Sequence, residues 1–117
     1  MDSNFTKLTV LDKSHKLVLL VYRLTATFPN NEIYGLVSQI RRAAVSISSN
    51  IVEGKSRETS NEFRRFLIIA RGSLEELKYQ MYLSKDLSYI IDKDYEEFSK
   101  EADVVGRLLN GLMKSLN

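Results

Sequence analysis

The 117-residue chain contains no cysteine and no tryptophan, one histidine and one proline. Without cysteine there can be no disulfide scaffold, no thiolate metal site and no cysteine nucleophile. One histidine rules out any multi-histidine metal centre, and one proline with five glycines is too little turn chemistry for a many-stranded sandwich or barrel. The longest apolar run, residues 17–22, is far short of the ~20 residues a membrane-spanning helix needs. The opening residues Met1–Phe5 lack the basic stretch of a secretory signal, so the expectation is a cytoplasmic protein with no membrane partner. Charge of one sign is also scarce: 17 basic against 15 acidic residues leave a net +2. The balance is uneven, about +5 over residues 1–74 and −3 over residues 75–117, which points weakly toward a polyanionic partner.

What is present is helical periodicity, four times over. Val10, Leu17, Val21, Leu24 and Phe28 share one stripe that stops at Pro29, because the residue before a proline is pushed out of the helical region. A second run holds Ile33, Leu36, Ile40, Ala43/Ala44, Ile47 and Ile51, with Gly54 expected as a left-handed cap. The third opens at Thr59, with Glu62 three residues on as a capping box, and carries Phe63, Phe66/Leu67, Ala70, Leu74, Leu77 and Met81. The fourth runs Tyr95, Phe98, Ala102, Val105, Leu109, Leu112 and Leu116 in alternating steps of three and four, the spacing of a bundle seam. Short links make neighbours antiparallel, so the pattern predicts an all-α, up-down-up-down four-helix bundle, with helices near 9–28, 33–54, 60–87 and 93–115. At this length the whole chain, 1–117, is expected to form one domain.

Two helices are more apolar than a four-helix core requires. Leu11, Val18 and Tyr22 form a second stripe on the first, and Ile68, Gly72, Tyr79 and Leu83 lie on the third, away from its core face. A glycine in mid-helix costs roughly 1 kcal/mol relative to alanine, so Gly72 suggests close backbone approach by another chain. These seven residues are the candidate surface for self-association, against the alternative of scattered surface hydrophobes.

The chemistry of a reaction centre is hard to find. His15 has no nucleophile or orienting carboxylate in a recognisable motif, and no glutamate three residues before it as a di-iron site would need. No catalytic residue, metal ligand or cofactor is assigned. The basic residues say more. Arg64, Arg71, Lys78 and Lys85 recur every seven residues as one stripe on the third helix. Arg41 and Arg42 lie on the second, and Lys55 and Arg57 precede the third helix's N-terminus, where free N–H groups favour phosphate. Arg41, Arg42, Lys55, Arg57, Arg64, Arg71 and Lys78 are the candidate nucleic-acid contacts. The competing reading is a set of flank residues paired with nearby glutamates.

Residues 34–57, YGLVSQIRRAAVSISSNIVEGKSR, followed by residues 61–81, NEFRRFLIIARGSLEELKYQM, resemble the four-helix-bundle proteins encoded within 23S ribosomal RNA intervening sequences. That family is related in fold to the accessory variability protein of diversity-generating retroelements. The resemblance implies a homopentameric ring, no enzymatic activity, and a partner that is structured RNA or a nucleic-acid-processing protein. A protein–protein scaffold ring without nucleic-acid contact is the alternative. Asn50, Glu53 and Gly54 belong to the family motif and are expected to be structural. The family usually has proline where this chain has Ser48, and tryptophan where it has Leu11.

Overall fold

A computed structural model describes residues 3–116, with the side chains of all of them except 3–6 and 8. Helix α1 spans Ser3–Thr25, α2 Leu36–Lys55, α3 Ser60–Asp86 and α4 Asp92–Ser115, with a short 3₁₀ turn at Asn30–Glu32 and no strand among the described residues. The side-chain bonds give the directions. Ser14 meets Ser48 at 2.9 Å while Arg41 reaches back to Thr25, so α1 and α2 are antiparallel. Ser46 meets Ser73, and Arg71 and Lys78 meet Asn110 and Asp103. The helices pair around a closed square, α1 with α2, α2 with α3, α3 with α4, and α4 with α1. The result is the antiparallel up-down-up-down bundle, elongated to 44 Å along its axis. Its core is built from the four stripes, including Leu17, Val21, Ile40, Ile47, Leu67, Leu74, Phe98, Val105 and Leu109, each essentially inaccessible to solvent. Ile33 is not part of it, being 49% exposed in the turn before α2.

The boundaries differ from the periodicity where local hydrogen bonds win. α1 ends at Thr25, three residues early: Thr25 Oγ1 folds back on the Val21 carbonyl at 2.8 Å and also accepts from Arg41 Nε. Phe28 stays buried without being helical, tilted against Tyr89 with ring centroids 5.5 Å apart. α2 starts at Leu36 rather than Ile33, because Glu32 Oε1 accepts from the Leu36 N–H at 3.3 Å and the 3₁₀ turn occupies the residues before. α2 is continuous through Ser48.

Gly54 is not a left-handed cap. No glycine in the described chain has a positive φ, and α2 runs one residue past it to Lys55. A Cβ at Gly54 would lie 2.7 Å from Phe63 Cδ1 and 2.9 Å from Phe66 Cβ, so this glycine lets the end of α2 meet the start of α3. The left-handed position belongs instead to Ser88 (φ 63), just past α3. There Tyr89 N–H donates to Ser84 O at 2.9 Å and closes the end of the helix in a Schellman-type turn. Half of the expected capping box forms on α3: Thr59 is extended and its side-chain oxygen accepts from the Glu62 N–H at 3.1 Å, while the Glu62 carboxylate makes no bond back to the Thr59 N–H.

Candidate nucleic-acid interface

The heptad spacing of Arg64, Arg71 and Lys78 aims all three at the seam with α4. Arg64 Nη2 donates to the carbonyls of Met113 (3.1 Å) and Leu116 at the end of α4, where Met113 O also accepts from the Leu116 N–H at 3.3 Å. A guanidinium there also meets the negative end of the helix dipole. Arg71 donates to Asn110 Oδ1 at 3.1 Å, and Lys78 Nζ lies 3.5 Å from Glu75 and 3.6 Å from Asp103. Lys85, the next in the stripe, sits over the Tyr95 ring. Part of the stripe is thus engaged within the protomer.

Two further cations line the same seam, Arg107 and Lys114 of α4. Both are exposed, and neither makes an ion pair or hydrogen bond among the described residues. Sequence reasoning passed over them, although their separation of seven residues is the same signal that marked α3. Together the groove between α3 and α4 carries five cations, Arg64, Arg71, Lys78, Arg107 and Lys114, against the two carboxylates Glu75 and Asp103.

The other candidate contacts lie elsewhere. Arg41 and Arg42 are on the α1–α2 edge, which the order of the square puts on the opposite side of the bundle from the α3–α4 groove. Arg41 is fixed: its guanidinium stacks 4.5 Å from the Tyr22 ring centroid, Nε donates to Thr25 Oγ1 at 3.0 Å, and Nη2 reaches the Tyr22 carbonyl. Arg42 is exposed. Lys55 is exposed at the end of α2, and Arg57 stacks over Phe66 at 4.7 Å. One protomer therefore cannot present all seven to a single phosphate backbone on one face.

The self-association candidates also divide. Leu11 and Val18 are half-buried and pack against the core. Tyr22 is partly covered by Arg41. Ile68, Gly72 and Tyr79 do face outward on α3, with Leu83 half-buried behind them; Ile69 and Tyr82 extend the apolar surface. A Cβ at Gly72 would meet nothing within 4 Å, so packing inside the protomer gives no reason for a glycine there.

Within the family motif, Asn50 Nδ2 donates to Ser46 O and Oγ, steadying the Ser46–Ser73 contact between α2 and α3. Glu53 is exposed at a groove between α1 and α2 that also collects Asp12, His15, Ser48 and Ser49. His15 forms no hydrogen bond with any of these, and no three acidic or histidine side chains are grouped to hold a metal ion among the described residues. No described helix is long and apolar enough to cross a membrane. The two end loops on one side of the bundle are joined by Tyr89, whose hydroxyl donates to Glu32 Oε2 at 2.8 Å. That hydrogen bond, with burial and the carboxylate's charge, holds the Tyr89 phenol above its ordinary range.

A family model described as 23S rRNA-intervening sequence protein matches residues 6–111. Among solved structures, the chain is similar to a protein of unknown function from the S23 ribosomal protein family of Bacteroides thetaiotaomicron. The two are 24% identical, with a TM-score of 0.83 over 97% of this chain and 98% of that one. At that identity the likeness speaks for the fold. No curated protein matches the chain.

Proposed function

Starting from the fact that the chain belongs to the 23S rRNA-intervening sequence protein family, we propose that it is a non-enzymatic, oligomeric, cytoplasmic accessory protein that binds structured RNA through the α3–α4 groove. The observation that carries this reading is the row of five cations along that groove with only two carboxylates among them. On α3 the heptad step sets successive cations ~10.5 Å apart along the axis, so they track a backbone and read no base.

A single protomer at +2 offers few phosphate contacts, and such contacts are weak at physiological salt. Assembly supplies the missing strength. The outward apolar residues of α3, Ile68, Gly72 and Tyr79, lie beside the basic stripe of the same helix, so self-association there would set basic grooves of neighbouring copies side by side. A homopentamer would carry a formal charge of about +10 on that basis, and linked weak contacts exceed the single-site affinity by orders of magnitude.

The test is binding of a labelled hairpin RNA to the parent protein and to Arg71→Glu/Arg107→Glu. Loss of binding in the double variant, with unchanged helical content, supports the reading; undiminished binding overturns it. The second reading, a protein scaffold, is favoured by the same outward face of α3: Tyr79 and Ile68 are 63% and 47% exposed. It predicts an assembled protein with no RNA affinity at any salt concentration.

A further inference from the structure

The loop end of the α1–α2 edge holds a second groove, of about 700 Å³, whose lining includes Tyr22, Tyr34, Arg41, Arg42, Val45 and Ser49 and no carboxylate at all. Tyr34 is 97% exposed, so its ring is open on both faces. Arg41 is pre-oriented by its stack on Tyr22 and its bond to Thr25, whereas Arg42 has no partner among the described residues. The one acidic residue of the adjoining turn, Glu32, is occupied elsewhere by the Tyr89 hydroxyl and the Leu36 N–H. The groove therefore joins an open aromatic face to two cations with no local counter-charge.

We infer that this groove binds an unpaired nucleotide within a nucleic-acid strand, the base stacking on Tyr34 and its phosphate meeting Arg42 and Arg41. Aromatic stacking beside a cationic track is how single strands are held without readout of base edges. An apolar protein partner would bury Arg42 without a counter-ion, and an acidic peptide would leave the open faces of Tyr34 unused. The inference rests on the reading of the protein as a nucleic-acid binder, but it concerns the opposite side of the bundle and a different form of the ligand.

The experiment titrates the full chain into a uridine decamer carrying one internal 2-aminopurine, with a blunt RNA duplex in parallel. Stacking on Tyr34 quenches the 2-aminopurine. Tyr34→Ala removes the quench and weakens decamer binding roughly five- to a hundredfold, and Tyr34→Phe restores both. Arg42→Glu weakens binding as well. Because Tyr34 is almost fully exposed, these variants keep the parent's fold, which circular dichroism checks. Duplex binding without decamer binding overturns this inference and leaves the α3–α4 reading standing. Decamer binding with the quench but no duplex binding supports this inference and removes the other. If Tyr34→Ala instead changes the oligomer mass in light scattering, the face is a contact between copies and the inference falls.

Discussion

Replacing Gly54 with alanine puts the close approach of α2 and α3 to a quantitative test. The added Cβ would sit 2.7 Å from Phe63 Cδ1 and 2.9 Å from Phe66 Cβ. Phe63 is 4% exposed and cannot swing aside without opening the core, and Phe66 Cβ moves only with the α3 backbone. Overpacking of this kind costs ~1–3 kcal/mol, and contact with a backbone-anchored atom puts this site near the upper end. Alanine recovers ~1 kcal/mol of helix propensity, so the net loss is about 1–2 kcal/mol. At ~2.1 cal/mol/K per residue, a chain of this length loses about 4 °C per kcal/mol, and the melting temperature should fall by about 4–8 °C. Thermal unfolding followed by circular dichroism measures it. Gly111→Ala is the control: no atom lies within 4 Å of its Cβ, and it should raise the melting temperature by roughly 2–4 °C through propensity alone. A Gly54→Ala protein that melts at or above the parent would refute the packing argument.

Three further outcomes follow from the same geometry. Ser88→Gly should stabilise the protein by about 1 kcal/mol in thermal unfolding, since a non-glycine residue at φ 63 pays for a left-handed conformation that glycine adopts freely. Arg64→Ala should cost about 1–3 kcal/mol in denaturant unfolding, because it removes the guanidinium that caps the Met113 and Leu116 carbonyls. The Tyr89 phenol titrates above its ordinary value near 10, so its contribution to stability is complete below that pH and is lost as pH rises through the folded value. Melting temperatures across the alkaline range should therefore fall less in Tyr89→Phe than in the parent.

Much of the fold was legible because its signals are local. The alternating steps from Tyr95 to Leu116 fix one buried face, Pro29 keeps the first helix from running on past Phe28, and Thr59 caps α3 by accepting from the Glu62 N–H, a bond four residues wide. What escaped the sequence depends on partners far along the chain. A glycine near a helix end looks the same whether it must turn left-handed or admit a neighbour; Gly54 does the second only because Phe63 and Phe66 stand opposite. Ser88, with no glycine to advertise it, took the left-handed turn. Spacing places Arg64 and Arg71 on one face of α3, but it cannot say that Arg41 and Arg42 are across the bundle, since that follows from the order of helices around the square. Nor could it foresee Tyr22, Tyr34, Arg41 and Arg42 gathering at one groove, which joins α1, the connecting turn and α2.

The central claim is that phosphates sit on the α3–α4 groove, and the salt dependence of RNA binding tests it most directly. Each phosphate neutralised by a protein cation steepens the fall of log affinity with log salt by about 0.7–0.9 of a unit. Neutralising Arg71 and Arg107 with glutamine removes two such contacts without introducing repulsion. The account predicts a slope shallower than the parent's by roughly 1.4–1.8 units. An unchanged slope, with the RNA still bound, would contradict it.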